Sequence, residues 1–560
     1  MSVGDRNAAI WFAADGYDPK KGVNGRRMAG ESLLRGWFRH AQVEEFVSIS
    51  QGATEAAAFA ELAKECGVTR LVRGARLDQP RGMAPVGTIF YSAPNFATEC
   101  WRRATFGATA WSLIGMTHTM STLTVQEGAL ALRTAPSAEW DAVICTSRAV
   151  RSAMDVQYDR IDGYLAARFG GVVPPRPQLP IIPLGVECDE FTPVPAEGAA
   201  LRTRLNIPAD DIVALIVARL TPHEKFDPLP MYLALAQAQT GMDAGRRLHL
   251  ILLGNSPDDY SRNIFAKGAA ALMPDVGFHI LAHEGPALRL AALSAADMFL
   301  FPIDNLQESF GIAPVEAMAA GLPCVVSDWD GLRDTVVPET GFLIPTMGAR
   351  AEHTAQTGLR YMGATDSYIQ FLSQMSAVTQ IDVPKMAQAI LALARNPALR
   401  AAMGAAGRAR ARARFDWRAV VPQMQDLFAE VTAIRKAADP ARFAPLPAAR
   451  LPNAPTPMVL FGSFPTRQIK TDATRYVATD IGTRPGVADT LALRNYMGTK
   501  RTFEQGAAIS ALHSALVAGG ASGQTVAELA ARAGQPVLRA ERILLWLLKY
   551  HFAAEEAPPP

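Results

Sequence analysis

The chain predicts an α/β protein with two doubly wound domains and a small helical module at its C-terminal end. Three observations carry that expectation. Short apolar runs recur between residues 8 and 327 with helical patterns between them, the alternation of parallel sheets covered by helices. At 560 residues the chain exceeds what one hydrophobic core supports. A proline- and alanine-rich stretch, 438–457, then separates these runs from three further helical patterns.

The first series opens with an apolar run at 8–14, read as a strand. A glycine loop at 21–26 follows, and then a helix through Glu31, Leu33, Leu34 and Trp37. Further strands are expected at 86–91, 112–116 and 142–146. The run 180–186 reads as a strand linking two domains. The series restarts at 212–218, 248–254, 276–281, 298–301 and 324–327, the strands of a second sheet. Helical sequence from 383 to 413 leads into Phe415, Trp417 and another helix to about residue 435. Beyond the linker, 507–517, 525–534 and 537–552 read as helices, with Thr525 and Glu528 at capping-box spacing and Gly534 as a stop. Residues 555–560 are expected to be a disordered tail.

Composition excludes several classes. Hydrophobic residues make up 49% and charged residues 19%, which argues against a disordered chain. A net charge of +2 gives no electrostatic reason for nucleic acid as the main partner. Cys66, Cys100, Cys145, Cys188 and Cys324 are scattered without a C-x-x-C pair, so neither zinc nor a disulfide framework is indicated and a reducing compartment fits. No apolar stretch approaches the ~18 residues of a membrane span. A cytoplasmic protein is expected, with peripheral contact at the inner face of a membrane left open.

Chemistry concentrates around Glu308 and Glu316, which bracket E-S-F-G-I-A-P-V-E between the apolar runs 297–302 and 321–327. Pro314 suits the first helical position and Gly321 the stop, which puts Glu316 in the first turn and Glu308 in the loop before it, at the mouth of the sheet. Free backbone N–H groups around Gly311 and the positive helix end favour an anion. Arg219 and Lys225 follow the first strand of the second series, where a guanidinium fork and an ammonium suit phosphate oxygens and a growing negative charge. Two solvated carboxylates beside an ordinary helix, and a solvated cation pair, are the plain alternatives.

The segment E-S-F-G-I-A-P-V-E-A-M-A-A-G-L-P-C-V-V resembles the E-x7-E motif of retaining nucleotide-sugar glycosyltransferases with the GT-B fold, chiefly glycosyltransferase family 4. The resemblance covers about three quarters of the chain. It implies two Rossmann-like doubly wound domains facing a cleft, and a nucleoside diphosphate sugar as donor. Glu308 and the amides of Ser309, Phe310, Gly311 and Ile312 would hold the donor sugar, and Glu316 the nucleotide ribose. Arg219 and Lys225 would neutralise the departing diphosphate, although most members space that pair one residue closer. His118, ending the run at 113–118, resembles the family's first-domain histidine, whose imidazole and carbonyl approach the donor sugar. Gly25, in the glycine loop, would bring backbone to the phosphates or acceptor from the opposite lip. No cofactor and no metal are required by this scheme, since the cation pair replaces the metal and no D-x-D motif stands at a plausible site.

The resulting division is 1–198 for an acceptor domain, 199–415 for a donor domain and 416–437 for a helix crossing back to the first domain. Linker and irregular sequence follow at 438–505, and a winged-helix-like module at 506–553. The expected reaction is sugar transfer with retention at the anomeric carbon, by front-face departure and attack. The acceptor is left open among glycan, lipid-linked carrier, peptide and small molecule. Alternatives are another GT-B enzyme, an epimerase or a phosphorylase, and a non-catalytic scaffold. Trp101, Phe106 and Trp111 would stack on a sugar or fill the core. Arg408, Arg410, Arg412 and Arg414 lie two apart, on opposed sides of a helix, and read as a solvated face. In the last module Arg532, Arg539, Arg542 and Lys549 outnumber Glu528 and Glu541 only slightly, so a protein partner or dimerisation is favoured over DNA.

Overall fold

The computed structural model describes residues 3–13, 17, 25–50, 52–76, 82, 86–469, 473–494 and 503–556. By its contacts the chain divides into two compact units, Met1–Pro447 and Ala448–Pro560.

The first unit holds two six-stranded sheets. In the first, β1 (Ala9–Trp11), β2 (Glu45–Ile49), β3 (Leu71–Ala75), β4 (Thr88–Tyr91), β5 (Ser112–Met116) and β6 (Ala142–Ile144) lie in the order β3-β2-β1-β4-β5-β6, every neighbour parallel. In the second, β7 (Ile212–Val217), β8 (Leu248–Leu253), β9 (Gly277–Leu281), β10 (Met298–Phe301), β11 (Cys324–Ser327) and β12 (Gly341–Ile344) lie in the order β12-β11-β10-β7-β8-β9, again all parallel. Counted from its own first strand, each sheet has the same order, that of the doubly wound dinucleotide-binding fold. Central strands are mainly apolar because helices cover both faces; β8, His249 included, and β10 are buried at every position. This is the GT-B architecture of two Rossmann-like lobes.

The strands that sequence patterning does not reveal are β2, β3 and β12. β3 is an edge strand whose Arg73 and Gly74 break the apolar pattern, and β12 is a short edge strand. The expected strand at 180–186 is not regular. It makes isolated bridges, Ile181 to Cys145 and Val186 to Asp416, because Pro180 and Pro183 lack the N–H that a ladder needs. Helix Pro195–Arg204 runs across residue 198 and is tied to the second lobe, Arg202 Nη2 donating to Asp297 Oδ2 at 2.6 Å.

The helices that flank these strands include α1 (Gly25–His40), α2 (Arg148–Phe169), α3 (Pro286–Ala295), α4 (Ile312–Ala319) and the long α7 (Trp417–Ala437). Between β12 and α7 the second lobe carries an inserted helical hairpin, α5 (Ala351–Met362) and α6 (Tyr368–Ser376), enclosed by the short pair β13 (Thr346–Met347) and β14 (Gln380–Ile381). Helix α7 returns to the first lobe, where Trp417 Nε1 donates to Ser32 Oγ at 2.9 Å and Arg435 Nε to Ser112 Oγ at 3.1 Å. Of the arginines before it, Arg408, Arg412 and Arg414 are exposed, as a solvated face would be, and Arg410 is half-buried. Arg408 donates to Ala320 O and Arg410 to Asp334 O and Thr335 O, closing carbonyls left open by neighbouring turns, while 411–415 form a π-helical turn.

The stretch expected to be a linker is laid on the first lobe as far as Leu446. Phe443 packs edge-on against Trp140, and Leu446 N donates to Ala104 O at 2.7 Å. In the second unit, α8 (Gly506–Ala518), α9 (Val526–Ala533) and α10 (Val537–Lys549) enclose a core of their own with Ile509, Leu512, Leu529, Ile543 and Leu544. The capping box at Thr525 and Glu528 forms as read, and Gly534 ends α9 at φ 63°. Two expectations change here. β15 (Tyr476–Ala478) lies inside the supposedly irregular segment. It pairs antiparallel with β16 (Ala553–Glu555), so Glu555 belongs to a ribbon rather than a tail. Residues 557–560 lie outside the described residues.

Candidate functional site

Where the strand order of the second lobe reverses, between β7 and β10, the loops leaving the two carboxyl ends open a crevice. The loop after β7 carries Arg219, Glu224 and Lys225; the loop after β10 carries Asn305, Gln307 and Glu308. The two are stitched together. Asn305 Nδ2 donates to Lys225 O, Gln307 Nε2 to Glu224 O at 2.8 Å, and Trp329 Nε1 to Asn305 O at 2.7 Å. A cavity of about 480 Å³ lies over these loops.

Charged groups in and beside the cavity are paired. Lys225 Nζ meets Glu308 Oε2 and stands 5.0 Å from the centre of the Phe301 ring; Arg219 Nη1 reaches Glu224 Oε2 at 3.0 Å. Glu316, its side chain 12% exposed, accepts from Arg289 Nη1 at 3.1 Å. Burial pushes the Glu316 carboxyl above its ordinary range, with Arg289 opposing the shift. Helix α4 starts two residues earlier than expected, at Ile312, so Pro314 is its third residue and Glu316 falls in the second turn. Any of the first four N–H groups of a helix lacks an intrahelical partner, so proline fits there equally well. Gly311 precedes the helix at φ 88°, where a Cβ would sit 2.5 Å from Leu332 Cδ2.

The first lobe supplies the opposite wall. His118 follows β5, its Nε2 at 2.6 Å from Ser92 O, and its carbonyl accepts from Ser309 Oγ at 2.5 Å. Thr119, Ala29 of α1 and Leu184 line the same wall. Arg219, Lys225, Glu308, Ser309, Phe310, Gly311, Ile312, Glu316 and His118 thus all border one cavity. Gly25 begins α1, one turn before the lining residue Ala29, and Lys21 to Asn24 of the expected loop lie outside the described residues. Trp101, Phe106 and Trp111 do not reach the cavity; Trp111 is buried just before β5, at the end of that strand remote from His118.

Residues 199–356, which carry both loops, match the family described as glycosyl transferases group 1. Over those residues the second lobe is similar to group 1 glycosyl transferases. Among curated relatives, D-inositol 3-phosphate glycosyltransferase of Geodermatophilus obscurus is 29% identical over 251 residues, 40% of this chain and 49% of the relative. The GDP-mannose-dependent monoacylated alpha-(1-6)-phosphatidylinositol monomannoside mannosyltransferase of Corynebacterium glutamicum is 25% identical over 267 residues, 46% of this chain and 58% of the relative. The chain spans about half the length of the curated relatives it matches. Among solved structures, HepE of Anabaena in complex with UDP-glucose is similar with a TM-score of 0.48 at 16% identity, over 76% of this chain and 99% of that one. Sucrose-phosphate synthase of Thermosynechococcus elongatus gives 0.45 at 19%, over 78% and 98%. The architecture follows from the two sheets themselves, not from these likenesses.

Within the matched residues, the sequence patterns do not single out Arg289, Glu224, Asn305 and Gln307. Arg289 had a detectable signal: it stands four residues into α3, near the helix end that repels cations, in an otherwise apolar segment. Asn305 and Gln307 had none, since loop amides are common and their carbonyl partners come from a segment 80 residues away. Among the described residues no cluster of three or more His, Cys, Asp or Glu could hold a metal ion, and no helix is long and apolar enough to cross a membrane.

Proposed function

We propose that the protein transfers a sugar from a nucleoside diphosphate sugar to a hydroxyl of an acceptor, with retention at the anomeric carbon. The observation that carries this reading is the meeting of two cations and two carboxylates at the strand reversal of the second lobe, with His118 of the other lobe facing them across one cavity.

In this reading the diphosphate lies against Arg219 and Lys225. Both exchange a carboxylate partner for phosphate oxygens, which gain negative charge as the glycosidic bond breaks, so the cations favour the transition state over the bound donor. Lys225 leaving Glu308 frees that carboxylate to accept from sugar hydroxyls, while the N–H groups at the start of α4, beside Ser309 to Ile312, face the sugar or phosphate. Glu316, steadied by Arg289, accepts from the ribose hydroxyls. The His118 carbonyl, held by Ser309 Oγ, fixes the loop that approaches the sugar. The acceptor oxygen bonds the anomeric carbon on the face the diphosphate leaves. The carbon–oxygen bond to phosphate breaks with its electron pair on the phosphate, which takes the hydroxyl proton. Closure of the lobes limits attack by water.

The named relatives act on D-inositol 3-phosphate or on a phosphatidylinositol mannoside, which supports a polyhydroxylated acceptor.

Release of nucleoside diphosphate from a panel of donors tests the reading. Glu308→Ala and Arg219→Ala should each lower turnover by about 100-fold or more. Equal release by the native protein and both variants would remove the mechanism.

A further inference from the structure

A second cavity, of about 390 Å³, adjoins the first, and Ser309 lines both. It lies between the lobes. Met120, Gln126 and Val150 come from the first lobe; Trp329 and Asp330 come from the loop after β11, and Phe371 from the inserted helix α6. We propose that this cavity is the acceptor subsite and that it takes an uncharged polyhydroxylated ring, a sugar or cyclic polyol, with Asp330 accepting from its hydroxyls and Trp329 and Phe371 covering its apolar faces. The proposal rests on the transferase reading and adds to it the acceptor's chemical class.

Four observations lead there. Asp330 is half-buried, and its carboxylate takes the Gly331 amide, with no side chain among the described residues hydrogen-bonded to it. It sits at φ 43°, a conformation that favours glycine, so a side chain is kept there at a cost in backbone strain. The next residue, Gly331, packs so closely that a Cβ would lie 2.2 Å from Ser309 O, which holds Asp330 against the segment carrying Glu308. Gln126 donates to Met120 O at 3.2 Å and keeps its amide oxygen for a hydroxyl. Apolar walls with a few convergent acceptors are how a protein binds a ring of hydroxyls.

Charge argues against an anionic acceptor. Arg333, on the same wall, is already engaged by Asp328, Nε to Oδ1 at 2.7 Å and Nη2 to the carbonyl at 2.9 Å. Burial, and next the nearby Glu308 carboxylate, push the Asp330 carboxyl up to about 7, and surroundings that disfavour its negative charge disfavour an incoming phosphate in the same way. The hairpin that brings Phe371 is fastened across the gap. Tyr368 Oη lies 2.7 Å from Ser121 Oγ, Leu123 N donates to Tyr361 Oη at 3.3 Å, and Tyr361 stacks on Phe371 with centroids 4.5 Å apart.

The experiment measures nucleoside diphosphate release with glucose, galactose, myo-inositol and glycerol, each beside its monophosphate, and nucleotide affinity by calorimetry in parallel. Neutral rings should stimulate release at least tenfold over donor hydrolysis, and their phosphates less. Asp330→Gly, which relieves the backbone strain, and Ala153→Trp, which fills the exposed rim of the cavity, should each raise the acceptor KM at least tenfold while nucleotide Kd moves less than twofold. The proposal is overturned by preference for the phosphates, by no stimulation from any neutral ring while hydrolysis proceeds, or by an acceptor KM that neither variant moves. Failure of the native protein to bind nucleotide or turn over any donor instead sinks the transferase reading, and this subsite with it.

Discussion

Arg289 and Glu316 are a matched pair in which each side chain makes the other tolerable. The guanidinium stands near a helix end that disfavours it, and the carboxylate is largely out of water. Arg289→Met should therefore cost about 3 kcal/mol in urea denaturation, because an uncompensated buried charge remains, and adding Glu316→Gln should recover most of the loss. Asp304 gives a pH-dependent case. It is 2% exposed, accepts from Ser376 Oγ at 2.7 Å and from Asp227 N, and burial pushes its carboxyl up to about 7. A folded pKa above the unfolded value of about 4 means the folded state holds its proton longer, so stability falls as pH rises from about 4 to 7. Asp304→Asn should show no gain in melting temperature near pH 4 and a full gain above pH 7. Sequence could single out Arg219, Lys225, Glu308 and Glu316 by type and spacing, and the structure brings all four to one cavity. It could not identify Asp304 or Asp330, whose properties arise from what surrounds them.

Elements were legible wherever packing is two-sided. The central strands β7, β8, β10 and β11 are mainly apolar runs because helices cover both faces, whereas β3, at an edge, is interrupted by Arg73 and Gly74. Helix starts were legible to within a turn; Pro314 fixed the existence of α4 but not its first residue, since any of its opening positions spares the missing N–H. Close approach of helices was not legible. Gly36 of α1 meets α7 so tightly that a Cβ would lie 2.3 Å from Trp417 Cγ, and the indole is locked by Ser32. Gly36→Ala should destabilise the protein by about 2 kcal/mol, despite alanine's better helix propensity, as an apparent shift in the urea midpoint.

At the scale of the whole chain, each unit closes its own core: the two sheets and α7 in one, the three helices and the β15–β16 ribbon in the other. A chain ending at Pro447 should keep the thermal transition of the first unit within about 2 °C and keep its nucleotide affinity. A large fall in either, read by calorimetry, would show that the last 113 residues (448–560) support the fold. The stretch 438–447 looks like linker in composition but is packed on the first lobe through Phe443 and Leu446, so truncation at 437 should expose Trp140 and lower that transition.

From its order of residues alone, the chain dictated two parallel sheets, the return helix and an acidic–cationic site in the second lobe, because these depend on local periodicity and on motifs a few residues long. The folded structure decided which strand ends meet. The shared order of the two sheets, the reversal between β7 and β10, the wall that His118 supplies and the cavity closed by Asp330 and Phe371 all join segments tens to hundreds of residues apart. No local pattern encodes such pairings; they arise from burying two sheets and packing their loops at one edge.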